Sequence, residues 1–138
     1  MYTIITDGAY SSSRNQGGVG IIILDSEGYE VLEYSKTFIN TTNNQMEMMA
    51  CIIALEAITE PSEVNIISDS QYVIGCASKG WKRKKNVALW KRFDKAIEFH
   101  TKVTFEWVKG HLDNLYNNRC DKLAVEASQK DVNNETNR

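Results

Sequence analysis

Apolar residues along the chain repeat with two different periods, and the change of period separates predicted strands from predicted helices. Residues 2–7, 17–24 and 29–38 are rich in β-forming side chains, and the second of these runs is almost continuously apolar. An unbroken apolar run of this length is typical of a strand that is buried on both faces. A short polar segment at 25–28 indicates a tight turn. The first three elements are therefore predicted to be an antiparallel meander.

The rest of the chain alternates between helical and strand patterns. Apolar residues from Met46 to Ala57 recur every three or four positions, which predicts an amphipathic helix that residues 41–44 can cap. Further helices are predicted over 70–77, 87–100 and 117–128, and strands over 64–68 and 103–108. Strands separated by helices run parallel to a neighbour. The fold class is therefore predicted to be α/β, with a five-stranded mixed sheet and helices on both faces.

Length and composition fit one folded domain. The 138 residues are 42% hydrophobic and 25% charged, which is ordinary for a globular protein. We predict a domain over 1–128 and a mobile polar tail over 129–138. No apolar stretch could cross a bilayer and the first residues form no basic leader, so a cytoplasmic protein without a membrane partner is expected. Three widely spaced cysteines predict buried, reduced thiols.

The net charge of −2 conceals an uneven distribution. Residues 79–92 contain seven Lys or Arg and no acid, so this block carries +7 and the remaining residues carry −9. Trp81 and Trp90 lie within it. Clustered cations attract a phosphate backbone, and aromatic side chains can contact bases or sugars. The block is therefore a candidate nucleic-acid surface; a solvated helical face with one or two core tryptophans is the alternative.

Four acidic residues lie where an isolated charge would be unfavourable. Asp7 and Asp69 end apolar strands, and Glu47 and Asp121 lie beside the inward faces of helices. Strand ends are where sites form in open α/β sheets, and buried carboxylates need a partner. A hard divalent cation such as Mg²⁺ suits an all-oxygen site. Ordinary explanations stay open: a turn at Asp7-Gly8, a helix cap at Asp69, and surface acids at the other two positions.

The two histidines have different contexts. His100 ends a predicted helix, where a cation interacts favourably with the helix dipole, so a structural role is expected. His111 follows the last strand in a predicted loop over 110–116 and is a candidate site residue. A nucleophilic pair of Cys120 with His111 is disfavoured, because Cys120 lies on an inward helix face.

Five motifs together resemble ribonuclease H type 1. They are TDGA at 6–9, TNNQMEMMA at 42–50, SDSQYV at 68–73, WVKGH at 107–111 and NRCDKLA at 118–124. They occur in the family's order and cover the chain except for the tail. The resemblance implies that the fourth and fifth strands run parallel to the first. It also implies an endoribonuclease that hydrolyses the RNA strand of RNA–DNA hybrids and leaves 5′-phosphate and 3′-hydroxyl ends.

The resemblance implies the reactive site as well. Asp7, Glu47, Asp69 and Asp121 correspond to the family's catalytic, metal-binding carboxylates, and His111 corresponds to a loop histidine that assists proton transfer or product release. By this resemblance two Mg²⁺ ions bind per active site, with Mn²⁺ as a substitute. Asp7 bridges the ions, Glu47 and Asp69 ligate one of them, and Asp121 helps to hold the other.

The implied substrate-binding residues come from three segments of the chain. They are Thr42, Asn43, Asn44, Gln71, Trp81, Lys82, Lys84 and Lys85. Selection of RNA requires contacts to 2′-hydroxyl groups, and the resemblance assigns such minor-groove contacts to Asn44 and Gln71 and a DNA-strand phosphate to Thr42. The long basic extension of many members is shortened here to 77–85, as in stand-alone members without it. The expected partner is the hybrid and the expected state a monomer; a catalytically silent or partner-dependent hybrid-binding module is the alternative.

Overall fold

The computed structural model describes residues 1–109 and 114–132. Within these ranges the chain forms five strands and four helices in the order β1, β2, β3, α1, β4, α2, α3, β5, α4. The strands are β1 (Tyr2–Ser11), β2 (Gln16–Leu24), β3 (Glu30–Ile39), β4 (Glu63–Ser68) and β5 (Lys102–Trp107). The helices are α1 (Asn43–Ala57), α2 (Gln71–Ser78), α3 (Val87–Phe99) and α4 (Leu115–Gln129).

The strands form one mixed sheet in the order β3-β2-β1-β4-β5. β1 and β3 are both antiparallel to β2, whereas β4 is parallel to β1 and β5 is parallel to β4. The β2–β3 turn closes through a hydrogen bond from Gly28 N to Asp25 O, and the Asp25 carboxylate accepts from two further backbone amides. The predicted fold class and strand directions are confirmed.

Helices cover both faces of the sheet. Alternate side chains of β1 and β2, such as Ile4 and Ile21, form the larger core together with residues of α1 and α3. Their neighbours Ile5 and Ile22 point to the other face and pack against Cys120 of α4. Every residue of β2 except the last is buried, which explains its continuous apolar run.

β1 continues four residues beyond the predicted end, so the prediction that Asp7 ends its strand is wrong. Asp7 lies inside β1 and pairs with Gly20 of β2. The pairing partners explain the difference, because β2 is long enough to pair with β1 as far as Ser11. β4 pairs with β1 only as far as Ile5. Asp7 therefore lies beyond the last residue of β1 that pairs with β4, in the part of the strand that pairs with β2.

The structure confirms the predicted cap of one helix and corrects the predicted cap of another. Thr42 caps α1, as predicted, since its side chain accepts a hydrogen bond from Gln45 N. α2 is capped by Ser70 rather than by Asp69, so capping does not account for the Asp69 carboxylate. α4 begins at Leu115, two residues before the predicted start, because Asn114 accepts hydrogen bonds from two backbone amides of the first turn.

Several smaller predictions can be compared with the structure. All three cysteines are buried and free, as predicted. His100 is structural, but through hydrogen bonds: its Nδ1 accepts from Ser62 N at 3.2 Å, and its Nε2 bonds Leu55 O at 2.9 Å. Residues 133–138 of the predicted tail lie outside the described residues. In the described ranges no helix has the length and apolar character needed to cross a membrane.

Candidate active site

Three carboxylates from three elements converge where β4 ends beside β1. Asp7 comes from β1, Glu47 from the beginning of α1, and Asp69 from the residue after β4. One carboxylate oxygen of each lies within 4.8 Å of the corresponding oxygens of the other two. Asp7 and Glu47 are each only 7% exposed. The three acids identified in the sequence therefore form one largely buried cluster.

The absence of a side chain at Gly8 makes this convergence possible. A Cβ atom at residue 8 would lie 2.5 Å from the backbone nitrogen of Glu47 and 2.6 Å from the carbonyl carbon of Met46. Glycine thus allows β1 to approach the backbone of α1 directly. Gly8 N also donates to Asp7 Oδ1 at 2.9 Å. Asp7-Gly8 is therefore a close-packed segment of a strand and not a turn.

Asp121 joins the cluster from the helix on the other face of the sheet. Its carboxyl group is near enough to Asp7 to help raise the pKa of that residue. The preceding residue, Cys120, is fully buried and donates from Sγ to Ile5 O at 3.3 Å, which ties α4 to β1. Asp7, Asp69 and Asp121 line one opening at the surface. All four predicted carboxylates are thus brought together.

The crowded carboxylates raise the pKa values of the two most buried members. The pKa of Asp7 is raised to about 8, first by burial, then by the charge of Asp69 and by its contact with Asp121. The pKa of Glu47 is raised to about 9, again first by burial and then by the charges of Asp7 and Asp69. The amide of Gly8 opposes both shifts in part. Without a cation, this cluster holds protons at neutral pH.

The donor set fits a divalent metal ion. Carboxylate oxygens are the hard ligands that Mg²⁺ and Mn²⁺ prefer. Glu47 Oε1 is the only buried side-chain polar atom of the described residues that lacks a hydrogen-bond partner. A cation held by Asp7, Glu47 and Asp69 would pair this oxygen and offset the mutual repulsion.

The properties of Cys120 exclude the alternative of a nucleophilic Cys120–His111 pair. Burial raises the pKa of the Cys120 thiol to about 12, so the thiolate is not available near neutral pH. His111 lies outside the described residues, and its assignment stays a prediction.

The predicted substrate-binding residues lie on two neighbouring surfaces. Thr42, Asn43 and Asn44 are exposed at the beginning of α1, less than two helical turns before Glu47, and Gln71 is exposed at the beginning of α2. The others, which are Trp81, Lys82, Lys84 and Lys85, are exposed in the segment between α2 and α3. The two tryptophans of the basic block differ: Trp81 is 49% exposed, whereas Trp90 is a core residue.

Sequence reasoning missed several residues around the carboxylates. Asn117 and Asn118 line the same opening as Asp121. The spacing could have identified Asn117, because this residue precedes Asp121 by one helical turn once α4 is known to begin at Leu115. Trp107, the last residue of β5, is 42% exposed, and its Nε1 donates to Asp69 O at 3.2 Å. That bond holds the backbone of Asp69 at the end of β4.

Known proteins similar to this chain share one description. The family model for RNase H matches residues 1–129. A "Ribonuclease H" of Lachnoclostridium phytofermentans is 47% identical over 91% of this chain and 90% of its own length. One from Trichodesmium erythraeum is 43% identical over 93% and 88%, and a "Ribonuclease HI" of Synechocystis is 41% identical over 95% and 89%.

The fold has a counterpart among solved structures. It is the N-terminal RNase H domain of a Mycobacterium tuberculosis protein, solved as a fusion with maltose-binding protein. The TM-score is 0.82 at 22% identity, with 93% of each chain covered. At this identity the likeness supports the fold alone.

Proposed function

The chain belongs to the ribonuclease H family of metal-dependent nucleases, and on that premise we propose that it hydrolyses the RNA strand of RNA–DNA hybrids at the cluster of Asp7, Glu47, Asp69 and Asp121. The observation that carries the proposal is the convergence of Asp7, Glu47 and Asp69, together with a buried Glu47 oxygen that has no hydrogen-bond partner among the described residues. Several acids held together at high energetic cost indicate a functional cation site.

We propose Mg²⁺ as the cofactor, two ions per site, with Mn²⁺ as a substitute. Asp7 would contact both ions, Glu47 and Asp69 would hold one, and Asp121 would help to hold the other. When bound, the ions supply charge neutralisation for the phosphodiester, an activated water and stabilisation of the leaving 3′-oxygen, so that 5′-phosphate and 3′-hydroxyl ends result.

The chain's own residues position and shield this site. Gly8 N donates to one carboxylate oxygen of Asp7, and the indole of Trp107 donates to the backbone carbonyl of Asp69, so the Asp7 side chain and the Asp69 backbone are both held in place. Burial of Glu47 excludes bulk water from one side of the cluster and strengthens electrostatic interactions there. His111, which follows β5 in the sequence, is proposed to assist proton transfer or product release.

The substrate is proposed to lie across the beginnings of α1 and α2. Asn44 and Gln71 would contact the minor groove, where 2′-hydroxyl groups distinguish RNA from DNA. Thr42 would contact a DNA-strand phosphate, and the basic segment between α2 and α3 would contact more distant phosphates. We propose further that residues 1–128 act as one catalytic domain, as a monomer, in the cytoplasm.

Cleavage of an end-labelled RNA–DNA hybrid, with Mg²⁺ or with a chelator, tests the proposal. Wild-type protein should cut only the RNA strand and only with metal, and Asp69→Asn should lose this activity. Glu63→Gln is a matched control, because Glu63 is an exposed acid at the opposite end of β4, and it should cut normally.

Other outcomes would redirect the proposal. Absence of cutting in both Mg²⁺ and Mn²⁺, with the hybrid still bound, would overturn it in favour of a binding module. Equal cutting of a DNA duplex would overturn the choice of substrate.

A further inference from the structure

The basic segment 79–86, which joins α2 to α3, is attached to the body of the protein at three points. The first is Trp81, whose backbone N donates to Gly75 O at 3.2 Å. Its indole ring lies directly against Gly75, where any Cβ atom would overlap the ring. Glycine in the middle of a helix lowers stability. Here the missing side chain of Gly75 leaves the space that the Trp81 ring occupies.

The second attachment is Arg83, which uses its guanidinium for three contacts at once. Nε donates to Cys76 O at 3.1 Å, and Nη1 pairs with Asp94 Oδ2 at 2.7 Å. The group also stacks over the ring of Trp90, with Cζ 4.3 Å from the ring centroid. Cys76 O is one of the last four carbonyls of α2, which have no partner inside the helix. A planar, forked cation can satisfy this geometry, and a lysine cannot.

The third attachment is Asn86, which has a left-handed backbone conformation with φ of +61°. Its Oδ1 accepts from Gln45 Nε2 at 3.1 Å, and its Nδ2 donates to the hydroxyl of Tyr72 at 3.1 Å. Gln45 follows Asn44 in the first turn of α1. The end of the basic segment is therefore joined to the surface proposed to contact the hybrid.

These attachments divide the cations of the segment into two groups. Lys79, Lys82, Lys84 and Lys85 are exposed, whereas Arg83 is only partly exposed and its guanidinium is occupied. Given the proposed hybrid substrate, we infer that Arg83 is a positioning residue. It fixes the segment so that the neighbouring lysines meet the phosphate backbone without an ordering step on binding. Arg83 itself does not contact phosphate.

For the variant Asp94→Asn, a simple charge effect and the positioning role of Arg83 predict opposite changes in hybrid binding. Asp94→Asn removes the acidic partner of Arg83 and raises the net charge by one unit. If only charge mattered, hybrid binding would become tighter. If Arg83 positions the segment, binding becomes weaker, because the guanidinium loses its anchor. Glu56→Gln is the matched control: it breaks the comparably exposed Arg92–Glu56 pair between α1 and α3 and adds the same charge.

The experiment measures kcat and KM for hybrid cleavage in Mg²⁺ for wild type, Arg83→Lys, Asp94→Asn and Glu56→Gln. Arg83→Lys and Asp94→Asn should raise KM by about three- to tenfold, the order expected for losing one preorganised contact, with kcat unchanged. Glu56→Gln should leave KM unchanged or lower it. Preserved KM in Arg83→Lys, or a lowered KM in Asp94→Asn, would overturn the inference.

Backbone hydrogen exchange over 79–86 separates this inference from the proposed function. Exchange should be faster in Arg83→Lys and Asp94→Asn than in wild type and in Glu56→Gln. Unchanged exchange in both variants would overturn the positioning role even if KM rose. Failure of wild type to cut the hybrid would overturn the proposed function, and the exchange would still show whether Arg83 fixes the segment.

Discussion

Glu47 shows how the surroundings of one residue define its chemistry. The carboxyl group is buried next to Gly8, faces the charges of Asp7 and Asp69, and has one oxygen without a hydrogen-bond partner among the described residues. A raised pKa of about 9 keeps it protonated near neutral pH when no cation is bound. Binding a metal ion would displace this proton, so metal affinity should increase with pH.

Asp7→Asn should separate stability from activity. The substitution removes the central charge of the cluster, so the metal-free protein should gain several degrees in Tm at pH 8. Cleavage should fall by about a hundredfold or more, which is the order seen when an electrostatic contact to the reacting group is lost. Thermal unfolding with a chelator and hybrid cleavage with Mg²⁺ measure the two effects. A lowered Tm together with lost activity would contradict the account of repulsion.

Gly8→Ala should disturb the site through packing alone. The added methyl group would overlap backbone atoms of α1, which cannot move away as a side chain could. A destabilisation of about 1–3 kcal/mol is expected, as for overpacking in a core. Urea unfolding measures it, and an unfolding free energy equal to that of wild type would show that α1 can shift without cost.

At the scale of elements, the ends of strands and helices determine where the acids lie. β4 ends at Ser68 and Ser70 caps α2, so Asp69 occupies the single position between the strand and the cap. Ser68 Oγ accepts from Ser70 N at 3.1 Å, and Ser70 Oγ accepts from Val73 N at 3.1 Å. These hydrogen bonds hold the turn on which the Asp69 carboxylate is placed.

Ser70→Ala should therefore weaken both α2 and the site. Loss of this cap should cost about 1 kcal/mol in the free energy of unfolding. Ser70→Thr keeps a hydroxyl group and should recover most of the loss, which urea unfolding of both variants would measure. Equal destabilisation by Ala and Thr would indicate that packing at this buried position, rather than the cap, is responsible.

At the scale of the whole molecule, the raised pKa values link stability to pH. Burial and mutual repulsion raise the pKa of Asp7 from 3.8 to about 8 and the pKa of Glu47 from 4.5 to about 9 in the folded protein. Between these limits the folded state binds more protons than the unfolded chain, so the free energy of unfolding decreases as pH rises. A divalent cation that binds the folded state should oppose this decrease.

Urea unfolding at pH 5.5, 7 and 8.5 tests this linkage. With a chelator, the free energy of unfolding should decrease steadily across the series, because ionising the two buried acids becomes a cost of folding. With Mg²⁺ present the decrease should be smaller, and Asp7→Asn should show a weaker dependence on pH even with chelator. Stability that rises with pH in the chelator series would contradict the assignment.

The uneven charge distribution has its own consequence for binding. If Lys82 and Lys84 contact phosphates, replacing either with Gln should weaken hybrid binding and reduce the slope of log affinity against log salt by about one. Titration of a labelled hybrid at several salt concentrations gives this slope. Lys122→Gln, on the exposed face of α4, is the matched control and should leave the slope unchanged.

Local pattern was sufficient to predict much of this protein. Hydrophobic periodicity predicted every strand and helix of the described ranges, because alternation and helical spacing follow from burial of one face of each element. The four carboxylates could be selected because acids beside apolar faces are costly unless they have a partner. Their convergence agrees with that reasoning, and the role of each in catalysis stays a proposal.

Long-range contacts decided the rest. β1 continues past Asp7 because β2 pairs with it as far as Ser11. The residues of β1 by themselves do not indicate how long its partner strand is. Arg83 belongs to the basic block in sequence. In the fold its guanidinium pairs with Asp94 and stacks on Trp90, so it does not act as one of the exposed cations. Local propensity is a property of a few neighbouring residues, whereas strand length and ion pairing depend on segments brought together only by folding. The sequence by itself therefore determined which residues could form a site, and the tertiary structure decided which of them face one another.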